Sequence, residues 1–143
     1  ILAVGLANIS RGKLASGSSM ENEGSHATFA VDGNDDTRFA SVDSDPQWLE
    51  VDLGVLHNIS HVCILWEAAF ASKYDIQVST DRLVWTTAAS VTDNRDEGWV
   101  KTNLPANVDA TFVRMYGHER GTKFGYSIYH FNVYGCQLAP FCT

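Results

Sequence analysis

Apolar and polar residues alternate with a period of two through much of this 143-residue chain. In residues 47–54, Leu49, Val51 and Leu53 share one face, and a tryptophan and two acids share the other. Residues 74–79 repeat the arrangement. Such alternation is typical of a strand that buries one face in a core. The pattern therefore predicts β-strands over both segments.

Five further segments fit short strands, and turn signals separate them. They cover 59–66, 83–87, 98–102, 111–117 and 128–135, and one or two helical turns are expected at 26–31. At least seven strands with this spacing predict an all-β fold, an antiparallel β-sandwich or jelly roll. The sequence shows no internal repeat or linker, so we expect one domain over 1–143, with a core of about 8–135 and a tail of 136–143.

Composition narrows the possible partners. Apolar residues make up 45% of the chain and charged residues 19%, which favours a folded globular protein. The net charge of −7 argues against a nucleic-acid partner, because binding to phosphate backbones depends on clustered Lys and Arg. No apolar run approaches the roughly 20 residues of a membrane-spanning helix, so no transmembrane segment is predicted.

Cysteines and glycosylation signals bear on the compartment. Cys63 lies in an apolar run and is expected to be a small buried side chain. Cys136 and Cys142 are six residues apart, a spacing that a local disulfide could close, and the alternative is a pair of free thiols. Asn8 and Asn58 each begin an Asn-Ile-Ser glycosylation signal. Together these features favour a secreted, extracellular protein.

The segment 31–37, with the sequence VDGNDDT, concentrates carboxylates in one short loop. Calcium sites need several oxygen ligands within such a span, from carboxylates, hydroxyls and carbonyls. The alternative is a turn closed by Asp and Asn side chains, with the acids in solvent. The register of an EF-hand is absent, which excludes that motif. The loop alone leaves both interpretations open.

Several segments together resemble a known family. They are ATFAVDGNDDTRFAS (27–41), DPQWLEVDLG (45–54), ISHVCILWEAAFASKYDIQVSTD (59–81) and FVRMYGHERGTKFGYSIYHFNVYG (112–135). In this order they resemble discoidin-like domains, also called coagulation factor 5/8 type C domains, and more closely the family 32 carbohydrate-binding modules. The resemblance implies a galactose-binding-like jelly roll of about eight antiparallel strands, which agrees with the strand pattern.

The resemblance also implies a function. We expect non-catalytic binding of glycans, of glucosamine, β-glucan or galactose type, in loops at one end of the sandwich. The alternative is a discoidin-type adhesion domain that binds a protein or a phospholipid surface. The chain has none of the common hydrolase or phosphate-loop motifs, so no enzymatic activity is expected. Self-association of the domain would add avidity for a polymer.

Binding residues follow from the resemblance by their positions in its motifs. The implied sugar contacts are Glu21, Arg38, Asp43, Glu67 and Phe124 or Tyr126, with Phe70 and Lys123 at the rim. The carboxylates of Glu21 and Glu67 would favour a cationic polymer such as chitosan. Other interpretations stay open: Arg38 bracing the acidic loop, and Tyr126 as a core residue. The four tryptophans are expected in the core or beneath loops.

A structural calcium ion is the one cofactor that the resemblance implies. Its ligands would be Asp32, Asp35, Thr37 and a backbone carbonyl at Phe29 or Ala30. Relatives add an acidic residue from the last strand, and here that position is His130. Imidazole is a poor ligand for a hard cation that prefers oxygen, so this substitution weakens the expected site.

Overall fold

The structure, a computed structural model, describes residues 6–138. Within that range the chain forms nine strands and two short 3₁₀ turns, and every strand pair is antiparallel. The strands are β1 (Ala7–Asn8), β2 (Leu14–Gly17), β3 (Phe39–Ala40), β4 (Gln47–Trp66), β5 (Ala71–Ser79), β6 (Thr86–Val91), β7 (Gly98–Asn103), β8 (Asp109–Arg120) and β9 (Ser127–Gln137), and the 3₁₀ turns are Glu23–Ser25 and Ala27–Ala30.

The 20-residue strand β4 belongs to both layers of the fold. Its residues 47–52 pair with β2 and β8, and β8 continues the layer to β5 and β6. Its residues 57–66 pair with β7 and β9, and β9 carries β1 and β3 on its other side. The register shifts between the two halves, where Gly54 adopts a φ of 87°. The predicted antiparallel β-sandwich is confirmed.

The core lies between the layers and uses the alternating residues. Leu49, Val51, Ile64 and Trp66 of β4 are each at most 1% exposed, and Ile76 of β5 faces them from the same interior. Their neighbours in sequence lie on the outer faces. Because removing apolar surface from water is favourable, the alternation of apolar and polar residues determines which face of each strand points inward.

The prediction of a strand at 83–87 is wrong. The strand begins at Thr86, and Leu83 and Val84 are 83% and 71% exposed. The carboxylate of Asp81 accepts hydrogen bonds from the backbone N–H groups of both residues, at 2.9 and 3.0 Å. A side chain that captures these donors withdraws them from a strand ladder, so the segment forms a turn.

Two other predictions change in detail. The segments 47–54 and 59–66 belong to one continuous strand, and the helical turn expected at 26–31 is the 3₁₀ turn Ala27–Ala30.

Cys63 is a free thiol that is half-buried, because it lies on the outer face of β4. Cys142 lies outside the described residues, so the disulfide with Cys136 stays a prediction.

The four tryptophans differ in burial, and Trp99 departs from the expectation that each lies in the core or beneath a loop. Trp66 is 1% exposed, whereas Trp48 and Trp85 are half-buried. Trp99 of β7 is 57% exposed. Its neighbour Val100 packs against the core instead, so alternation turns the indole outward.

Strand β9 runs from one end of the sandwich to the other. Its first residue, Ser127, pairs with Ala40 of β3, whereas Gly135 near its other end pairs with Ala7 of β1. At about 3.3 Å per residue, these two ends of β9 lie roughly 26 Å apart. No helix in the described part of the chain is long and apolar enough to cross a membrane.

Candidate functional site

An open cavity of about 330 Å³ lies at the end of the sandwich where β4 ends and β9 begins. Loops at the ends of β2, β3, β4, β8 and β9 form its wall. Six of the eight side chains that the sequence analysis proposed for sugar contact border it: Glu21, Arg38, Asp43, Glu67, Phe124 and Tyr126. Segments distant in sequence thus meet in one concave surface of a size suited to a small ligand.

Glu67 follows the buried Trp66 directly and is held by backbone hydrogen bonds. Its N–H donates to the carbonyl of Ser127 at 3.0 Å, and its Oε2 accepts from the N–H of Ala69 at 3.0 Å. The N–H of Ser127 in turn donates to the carbonyl of Ala69 at 2.8 Å. These bonds hold a half-buried carboxylate at the cavity wall.

Arg38 faces the cavity and not the acidic loop. Its Nε donates to Ser127 Oγ at 2.9 Å, and its guanidinium lies 3.8 Å from Glu21 Oε2. Both charged side chains are close to half exposed, so the pair contributes little to stability and leaves both groups accessible. Ser127 was not among the predicted residues, although it directly follows the predicted Tyr126 and its hydroxyl accepts the hydrogen bond that orients Arg38.

Phe124 presents apolar surface beside these charges. Its ring is 53% exposed, and Lys123 Nζ lies 5.3 Å from the ring centroid. The next residue, Gly125, lies so close to the neighbouring loop that a Cβ would come within 2.5 Å of the Ser41 carbonyl oxygen. The tight approach at Gly125 closes one side of the cavity and leaves Phe124 at its mouth.

Tyr126 borders the cavity with a side chain that is fully buried. Its hydroxyl donates to the Asp45 carboxylate, and Arg120 Nε lies 3.3 Å from the same carboxylate. Burial and the Asp45 charge both raise the pKa of Tyr126 well above its usual range, so the phenol stays a donor. Tyr126 is therefore a core tyrosine that supports the cavity from behind, and Phe124 is the aromatic residue open to a ligand.

The two proposed rim residues do not border the cavity. Phe70 packs against the core, and its ring occupies the space that a Cβ at Gly121 would need. Lys123 is exposed above the ring of Phe124. Phe70 thus shapes the loop that carries Phe124, and Lys123 lies within reach of a ligand that extends beyond the cavity.

The acidic loop 31–37 is closed by its own side chains. Asp32 accepts from the N–H of Asn34 at 2.9 Å and from the hydroxyl of Thr37 at 2.6 Å. The Thr37 hydroxyl also lies 3.4 Å from the Phe29 carbonyl oxygen. Three of the proposed calcium ligands therefore lie together, in the arrangement of a turn closed by an Asp side chain.

Asp35, the remaining proposed calcium ligand, is held by the last strand. Its Oδ1 lies 2.7 Å from His130 Nε2. Among residues 6–138, no three His, Cys, Asp or Glu side chains are grouped so that they could hold a metal ion. His130 thus contacts the fourth proposed ligand and occupies the last-strand position, where a carboxylate would have supplied a further oxygen. Calcium at this loop stays a prediction.

Comparison with known proteins agrees with this geometry. Residues 14–131 match the model of the F5/8 type C domain. Chitosan-binding module 2 from a chitosanase/glucanase of Paenibacillus sp. IK-5, solved with chitotriose, is 41% identical, with a TM-score of 0.85 over 90% of this chain and 100% of the module. The family 32 carbohydrate-binding module of C. perfringens NanJ, solved with galactose, is 25% identical, with a TM-score of 0.79 over 91% of this chain and 98% of that module.

A longer relative places a similar domain within an enzyme. The polysaccharide lyase 8 family protein HylA of Enterococcus faecalis is 32% identical over 117 residues. The match covers 78% of this chain but 8% of the lyase, so it concerns one small part of that protein. The match to the family model, in contrast, spans most of the chain and both layers of the fold. The chain therefore belongs to the F5/8 type C domain family.

Proposed function

We propose that this domain binds glucosamine-containing oligosaccharides in the cavity. The observation that carries the proposal is that three carboxylates, Glu21, Asp43 and Glu67, border the same cavity as the exposed ring of Phe124. A carboxylate makes a strong, charge-assisted hydrogen bond to the ammonium group of glucosamine. An exposed aromatic ring offers an apolar face to the C–H groups of a sugar. The similarity to a module solved with chitotriose supports this choice of ligand.

Arg38 adds specificity to the same surface. Glu21 is already paired with Arg38. Within the described part of the chain, neither Asp43 nor Glu67 forms an ion pair or hydrogen bond with a cationic side chain, and Glu67 accepts only from a backbone N–H. Two carboxylates therefore remain for a cationic ligand, and the guanidinium can donate to sugar hydroxyls. The net charge of −7 also attracts a polycation over longer distances.

The proposed role is binding without cleavage. Glycoside hydrolysis needs a pair of carboxyl groups, one of which is kept protonated by a buried, apolar environment. Glu21 and Asp43 are exposed and Glu67 is half-buried, in a cavity that is open to solvent. The cavity therefore lacks the buried, apolar surroundings that a general acid needs, whereas exposed carboxylates suit ion pairing with an ammonium group.

The site of action in this proposal is outside the cell, where polymeric glycans are accessible. A single shallow cavity gives modest affinity for one chain end or one segment. Attachment to an enzyme, as in the lyase relative, or self-association would each raise the effective affinity for a polymer.

Isothermal titration with a panel of sugars tests the ligand class. We expect the glucosamine trimer to bind more tightly than the N-acetylglucosamine trimer, because acetylation removes the ammonium charge. Added salt should weaken the first interaction more than the second. Binding of galactose alone would refute the glucosamine assignment and favour a NanJ-like specificity. Binding to phospholipid vesicles without any sugar binding would refute the glycan proposal altogether.

Glu67→Gln tests the charge directly, since it keeps the size of the side chain and removes its charge. A hydrogen bond to a charged group contributes about 1.5–3 kcal/mol, so we expect roughly 10- to 100-fold weaker binding of the glucosamine trimer. Asp109→Asn is a matched control, because Asp109 is exposed and begins β8 at the far end of the sandwich. Equal losses in the two variants would show that net charge, and not the cavity, drives binding.

A further inference from the structure

Trp99 is an exposed indole that stacks on a neighbouring side chain. It is 57% exposed on β7, and its ring stacks on the imidazole of His130 with centroids 5.9 Å apart and planes 10° from parallel. His130 is itself held by Asp35, at 2.7 Å. The stacking on His130 limits the orientations that the indole adopts. A ring limited in this way loses less conformational entropy when a ligand stacks on it.

Strand register places this indole next to the cavity. Trp99 pairs with Leu65 of β4, and Glu67 follows two residues later along the same strand direction. Diagonal neighbours of this kind lie about 7–8 Å apart between Cα atoms. Because residues directly opposite each other point to the same face, Leu65 and Trp99 share the outer surface of this layer. Trp99 therefore lies beside the end of β4 from which Glu67 continues to the cavity wall.

Charged residues flank Trp99: two acids before it and Lys101 two residues after it on β7. The exposed acids Asp96 and Glu97 come immediately before β7, whose first residue, Gly98, pairs with Trp66. Glu97 comes just before Gly98, and Glu67 comes just after Trp66. Because Gly98 and Trp66 are paired in antiparallel strands, the two acids lie at the same end of this strand pair. The surface from Glu67 to Trp99 combines acids with an aromatic face, as the cavity does.

We infer that Trp99 forms a second subsite, which stacks against a sugar ring next to the one held in the cavity. This inference rests on the proposed function, because the first ring must be anchored at Glu67. The ligand it selects is an oligomer of glucosamine and not a monosaccharide. The cavity binds one ring through charge, and Trp99 adds apolar contact with the next.

The test compares glucosamine with its oligomers of two to six units by isothermal titration. We expect affinity of the wild-type domain to rise with length, and Trp99→Ala to weaken binding of the trimer about 3- to 10-fold while leaving the monomer unchanged. Trp99→Phe should keep most of the gain. Leu83→Ala is the matched control, because Leu83 is 83% exposed in the loop between β5 and β6, away from the cavity, and should change neither ligand.

Amide and indole NMR signals of the wild-type domain give a second readout that requires no variant to fold. The trimer should shift the Trp99 indole N–H signal, and the monomer should not. Equal binding of the trimer by wild type and Trp99→Ala, with no indole shift, would overturn the inference and leave the proposed function intact. An equal loss for monomer and trimer would also overturn it. Failure of the wild-type domain to bind any of these sugars would overturn both.

Discussion

Replacement of Gly125 by Ala should damage the fold at the cavity. A Cβ at this position would lie 2.5 Å from the Ser41 carbonyl oxygen and 2.6 Å from that of Val42. Both neighbours are backbone atoms, so relief requires the two chain segments to separate. That movement would strain two further hydrogen bonds: Ser41 N–H to the Tyr126 carbonyl and Tyr126 N–H to Ser41 Oγ, each 2.9 Å.

The magnitude follows from these contacts. Overpacking of a close contact costs about 1–3 kcal/mol, and weakening of the two hydrogen bonds adds about 1 kcal/mol. We therefore expect the free energy of unfolding to fall by roughly 2–4 kcal/mol. For a domain of this size, that corresponds to a decrease in Tm of about 5–15 °C.

Thermal and urea unfolding, followed by tryptophan fluorescence, measure this loss. Gly24→Ala is the control, because its nearest contact would be a flexible side-chain oxygen of Asn22 at 3.1 Å. That variant should stay within about 0.5 kcal/mol of wild type. A Gly125→Ala domain with a wild-type Tm would refute the close approach of these segments and, with it, the described shape of the cavity.

Two further changes test the surroundings of the cavity. Tyr126→Phe removes the donor to Asp45 and should lower the free energy of unfolding by roughly 1–2 kcal/mol in urea titrations, and an unchanged value would contradict the buried hydrogen bond. His130→Glu places a carboxylate beside Asp35. With a chelator present the two acids should repel each other, and with calcium present both can bind the ion. The difference in Tm between calcium and chelator should therefore be larger for His130→Glu than for wild type, and equal differences would contradict the predicted ligand set.

The strands were predictable where the alternation of apolar and polar residues allowed only one face to be buried. In 47–54 and 74–79 one face is apolar and the other mostly polar, so burial could follow only one choice. In 98–102 both Trp99 and Val100 are apolar, and the sequence does not say which of them points inward. Packing against the core selects Val100, which is why the exposed indole was not foreseen.

The residues of the cavity were predictable as a group, but their contacts were not. Glu21, Arg38 and Glu67 were identified through family motifs, and the fold brings them to one wall. The bond from Arg38 to Ser127 joins residues 89 positions apart, and no local pattern encodes such a pairing. Phe124 and Tyr126 were equivalent candidates in sequence. The fold separates them, since the carboxylate of Asp45 satisfies the hydroxyl of Tyr126 in the interior.

The pairing of β1 with the far end of β9 separates the ends of the described chain from the cavity. Ala7 and Gly135 are neighbours, and Ser127 at the cavity lies about 26 Å away along the same strand. A tether attached near this pair of residues would hold the domain by the end opposite the cavity and leave the cavity accessible.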